Sequence, residues 1–72
     1  MTTDEFKAIA KGYMEGNVYA IRKAARYSED PVENDLNHLL CEATANAAEQ
    51  ACTNVIVCMA VELLQKGVLH DS

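Results

Sequence analysis

Residues 28–35 read SEDPVEND, and the reading of this stretch decides the fold. Proline fits a helix without strain only in its first turn, where the missing N–H has no partner to lose. Asp30, directly before Pro31, is a good N-cap, and Glu33 puts negative charge at the positive end of the helix dipole. The stretch therefore closes whatever precedes it and starts a helix at Pro31. From Pro31 to Lys66 no further proline or glycine occurs. Gly67 sits where a left-handed C-terminal cap belongs, just after the cation of Lys66. The spacing predicts one long helix over about residues 31–66, roughly 54 Å at the usual rise per residue. Val55–Val61, VIVCMAV, is rich in β-branched residues, but no turn chemistry bounds it as a strand.

Working back from the turn, a first helical arm covers about residues 4–27. Thr2 or Thr3 caps it, and Glu5 is placed to close a capping box onto Thr2. Phe6, Ile9, Ala10 and Tyr13 recur at the spacing of one helical face. Gly16-Asn17 reads either as a break between two short helices or as a weak point in one. The stripe Ala10, Met14, Val18, Ile21 and Ala25 runs through it without interruption. The expectation is a single all-α domain of residues 1–72, an antiparallel helical hairpin. One or two short N-terminal helices and a turn at 28–31 precede the long helix, and a loose tail at 67–72, with His70, follows it.

A tight turn at that place sets Phe6 opposite about Thr53. It also sets Gly12, Gly16 and Ala20 opposite Ala47, Ala43 and Leu39, with Ala51 facing Ala8. Small residues at this spacing predict close approach of the two backbones. The second arm then overhangs the first. Val55 to Leu64, with Ile56, Val57, Ala60, Val61 and Leu64 among them, is apolar over more than half the circumference there, whereas one neighbouring helix covers a narrower stripe. Leaving large side chains exposed forgoes about 1.5–3 kcal/mol each. A second copy of the chain is the expected cover, giving a homodimer of the four-helix-bundle type with these five residues at its interface.

Composition agrees with a small core in need of a partner. The chain has 72 residues, a size at which a lone core is thermodynamically thin. Cys41, Cys52 and Cys58 form neither an even disulfide set nor a zinc-type pair, and read as small buried hydrophobes in a reducing cytoplasm. The start MTTDEFKAIAK lacks the basic and apolar pattern of a signal peptide. VIVCMAV by itself is far shorter than the roughly 20 residues that span a bilayer, so no membrane partner is expected.

Charge is uneven. Residues 1–27 carry Lys7, Lys11, Arg22, Lys23 and Arg26 against Asp4, Glu5 and Glu15, whereas residues 28–72 carry only Lys66 against eight acids. Tyr19, Arg22, Lys23 and Arg26 fall at helical spacing, so a helix over this region projects them together as a candidate face for an anion or an acidic partner. Overall acidity argues against direct nucleic-acid binding. Asp35, His38, Glu42 and Glu49 have ligand-capable spacing, but facing carboxylates are scarce, so no metal or other cofactor is expected. No nucleophile with an oriented base and no phosphate-cradling glycine loop is visible, which points away from an enzyme. The functional expectation is a non-enzymatic, acidic, cytoplasmic interaction protein. It would bind and inhibit another protein, one with a basic nucleic-acid-binding surface being the best match in charge. The alternative is a small binder of nucleotides or other anions.

Overall fold

A computed structural model describes residues 1–71 of the chain. Among these residues there are two helices and no strand: α1 spans Thr3–Arg22 and α2 spans Pro31–Gln65. They lie side by side as an antiparallel hairpin 54 Å long and 15 by 13 Å across.

The helix ends follow the local signals. The Thr2 hydroxyl accepts from the Glu5 N–H at 3.1 Å, and the Glu5 carboxylate accepts from the Thr2 N–H at 3.2 Å, completing the capping box. That backbone hydrogen bond, with the Thr2 hydroxyl next, holds the Glu5 carboxyl below the ordinary carboxylate range. At α2 the Asp30 carboxylate accepts from the Val32 N–H at 3.0 Å, with Pro31 next in line. Gly67 takes φ +75°, a conformation that suits only glycine without strain. Its N–H reaches the Leu64 carbonyl, and that of Val68 reaches the Leu63 carbonyl, the paired bonds of a Schellman cap. Gly16 does not interrupt α1, which is one helix.

Three expectations are corrected. α1 ends at Arg22 instead of continuing to about residue 27, and its capping residue is Lys23. The reason lies on α2. Cys41 donates its thiol to the Ile21 carbonyl at 2.7 Å, the Asn37 amide donates to the Arg26 carbonyl, and Asn34 accepts from the Ser28 N–H. These side chains satisfy a non-helical connector, so the backbone there has no need of a helical ladder.

The longer connector shifts the register. Arg22 meets Glu42, Met14 meets Thr53 and Thr2 meets His70. Glu42 and Thr53 lie five and eight positions further along α2 than a tight turn would place them, and His70 lies beyond the end of α2. α1 therefore reaches the far end of α2, and the expected overhang is absent. The small-residue contact is absent too: a Cβ built on Gly12 or Gly16 meets nothing within 4 Å. Larger side chains do the packing instead. Met14 and Val18 seat against Ala45, which is 0 % exposed, with Ile21 and Ile56 at the edges.

The tail is the third correction. Beyond Gly67 the chain turns back, and His70 is fixed by its backbone. Its carbonyl accepts from the Thr3 N–H at 3.1 Å, and its N–H donates to the Met1 carbonyl at 3.3 Å. The first N–H groups of a helix have no partner within it, so the start of α1 is a natural dock for an extended segment. Leu69 is buried in the process, as is Ala60 of α2.

Candidate interaction surface

The hairpin is too thin to hide its own apolar residues. Among the described residues five hydrophobic side chains are buried: Met14, Val18, Ala45, Ala60 and Leu69. A radius of gyration of 16.8 Å compares with about 11 Å for a compact domain of this length. The accessible surface of 5441 Å² exceeds by about 1,000 Å² that expected of a compact monomer of the same mass.

Most of the uncovered apolar surface belongs to α2. Val32, Leu36, Leu39 and Leu40 are exposed in its first half, and Val55, Val57, Met59 and Val61 in its second. Apolar residues thus surround the helix, while α1 shields one side only. A helix of this kind belongs in an interior. By length and composition α2 also qualifies as a membrane-crossing helix, one 18-residue window having a mean hydropathy of 1.3. The shortness of VIVCMAV alone therefore does not exclude that role.

Of the expected interface residues, Val57 and Val61 are 49 % and 50 % exposed. Ile56 packs against the chain's own core, Ala60 is buried within the monomer, and Leu64 is half-buried. Sequence reasoning missed Leu36 and Leu40, because it confined the exposed region to an overhang. Their spacing from Val57 and Val61 along one helical face was the available signal. The cysteines also differ from expectation. Only Cys41 is partly buried, whereas Cys52 and Cys58 are exposed, since α1 does not cover the parts of α2 that carry them.

Two open grooves flank the contact between the helices. One is apolar, lined by Phe6, Tyr13 and Met14 of α1 and by Cys52, Val55 and Met59 of α2. The other is rimmed by charge, with Lys7 and Lys11 on one wall and Glu49, Thr53 and Val57 on the other.

The expected cationic face is not assembled on one helix. Arg22 turns to α2, where its Nε donates to Glu42 at 3.0 Å and its Nη2 to Asn46 at 2.8 Å and Glu49 at 3.4 Å. The hydrogen bond to Glu42 is the main cause of a pKa raised above the ordinary arginine value, so the guanidinium stays charged. Lys23 lies over the Tyr19 ring with its Nζ 5.5 Å from the centroid. Arg26 falls beyond the helix end, in the connector. Arg22 also engages Glu42 and Glu49, two of the four residues with ligand-capable spacing. Among the described residues no three His, Cys, Asp or Glu side chains are grouped to hold a metal ion.

No protein-family model, curated protein or solved structure matches the chain.

Proposed function

We propose that the chain is a non-enzymatic protein–protein interaction module that works as an oligomer, with α2 at the centre of the assembly. One observation carries this reading: α2 is apolar around its circumference, and α1 covers a single side of it. The acidic balance of residues 28–72 suits a cytoplasmic target with a basic surface, such as the nucleic-acid-binding face of another protein, which the module would block. Anion binding by Tyr19, Arg22, Lys23 and Arg26 is the weaker reading. The donors of Arg22 are directed to Glu42, Asn46 and Glu49, and Arg26 does not share the helical face.

Sedimentation of the purified chain over a wide concentration range tests the core of this proposal. The expected result is a species heavier than one chain, with helix content that rises as it forms. A well-folded monomer at every concentration overturns the proposal. Flotation of the chain with lipid vesicles also overturns it, in favour of a membrane role for α2. For the target, displacement of labelled duplex DNA from basic host proteins should weaken steeply with added salt. Displacement indifferent to salt removes the acidic-surface part.

A further inference from the structure

The side of α2 away from α1 has a regular spacing. Leu36, Leu40, Ala43 and Ala47 step by four, three and four residues, and Gln50 and Asn54 continue the alternation. Val57, Val61 and Leu64 complete it. This is the seven-residue repeat of a coiled-coil seam, sustained over four repeats. Every member from Leu36 to Val61 is exposed, Leu64 is half-buried, and the stripe carries no charged side chain. The acids nearest its middle, Glu42 and Glu49, are turned to Arg22 of the same chain.

We propose that the chain pairs with a second copy of itself through this seam, with the two α2 helices antiparallel and the twofold axis level with residue 52. The proposal rests on the interaction reading above and adds the partner, its direction and its register. Two observations on the seam favour this orientation, and a third, on the whole molecule, favours a second copy. First, the operation sets Leu40 against Leu64 of the other copy, Ala43 against Val61 and Ala47 against Val57. Each alanine meets a larger residue, so the helices keep an even separation.

Second, the two polar members fall together at the centre. Gln50 lies against Asn54 of the second copy on each side of the axis, and each amide has both donors and an acceptor to offer the other. Third, the surface in excess of a compact monomer, about 1,000 Å², is close to the roughly 800 Å² per partner that a standard interface buries. A parallel pair would stack leucine on leucine at 36 and 40, alanine on alanine at 43 and 47 and valine on valine at 57 and 61. The helices would then have to converge and diverge along their length.

Single-cysteine variants decide the matter. With Cys41, Cys52 and Cys58 replaced by serine, Ala47→Cys and Val57→Cys are purified separately, mixed under refolding conditions and oxidised. The expected product is a disulfide-linked pair containing one of each variant, with neither variant linking to itself. Self-linked Ala47→Cys overturns the antiparallel arrangement and leaves the interaction reading standing. A dimer by mass that yields no mixed product overturns the register. A folded monomer overturns both proposals. A second measurement leaves the seam intact, using a spin label on Glu33→Cys in the exposed first turn of α2. The labels should lie roughly 55 Å apart at opposite ends of the dimer; a separation under about half that value, as in a parallel pair, overturns the proposal.

Discussion

α1 and α2 bury opposite kinds of residue. α1 is charged around much of its surface, with Asp4, Glu5, Lys7, Lys11, Glu15 and Arg22, yet its buried residues are the large Met14 and Val18. α2 is far more apolar, yet its buried residues are two alanines, Ala45 and Ala60. In an isolated hairpin the greasier helix would be expected to hide its larger side chains against its neighbour. Here it offers small ones inward and turns several leucines and valines outward. α1 leaves Ile9, Tyr13 and Tyr19 exposed, whereas α2 has a whole second side that none of the described residues shields.

The largest expected effect separates those two sides directly. Val57→Glu should abolish self-association, because an unpaired charge at a buried position costs about 3–5 kcal/mol. Ala8→Glu, on an exposed position of α1, should leave association unchanged and stability within about 0.5 kcal/mol. Sedimentation and thermal melts followed by circular dichroism read both, and equal effects would erase the distinction between the helices.

Next comes the contact between the arms. Met14→Ala removes the side chain that packs on Ala45 and accepts from the Thr53 hydroxyl, and should cost about 2 kcal/mol in denaturant unfolding. A loss well below that figure would mean that α1 adds little to the fold. A smaller effect of opposite sign is expected at Gly16→Ala. Apart from the helix's own backbone and its chain neighbours nothing among the described residues lies within 4 Å of the added Cβ, so helix propensity should raise stability by about 1 kcal/mol. Destabilisation would restore the close backbone approach that the small-residue spacing suggests.

The smallest effect concerns the start of α1. The Glu5 carboxyl titrates below its ordinary value because it accepts from the Thr2 N–H. Its contribution is therefore fully present above the ordinary glutamate pKa of about 4.3 and fades as pH falls through the lowered folded-state value. Protection of the Thr2 amide against exchange, taken relative to its intrinsic rate at each pH, should fall on acidification across that window. Glu5→Gln, which keeps an acceptor without the charge, should flatten this pH response.

The legible parts of the fold were those with local causes. Thr2 with Glu5, Asp30 with Pro31, and Gly67 after Lys66 each satisfy backbone groups within a few residues, and all three helix boundaries were read correctly. The end of α1 was not legible, because the groups that hold residues 24–28 out of a helix, Asn34, Asn37 and Cys41, lie on the other arm. The error at that end propagated into the register, and from there into the expected contacts of Gly12 and Gly16 and the expected overhang. The cationic cluster failed in the same way. The spacing of Tyr19, Arg22, Lys23 and Arg26 makes one face only if the helix continues, and it stops at Arg22.

The sequence by itself determined an all-helical hairpin with a long second arm and the presence of more apolar surface than one arm can shield; whether the first arm was one helix or two it left open. These follow from capping chemistry and from the number and spacing of apolar residues, which are properties of the chain. Tertiary structure alone decided which of those residues remain outside. Side-chain hydrogen bonds across the hairpin set the length of the connector, the connector set the sliding of α1 along α2, and the face of α2 that α1 occupies left Leu36, Leu40, Val57 and Val61 on the opposite, open one.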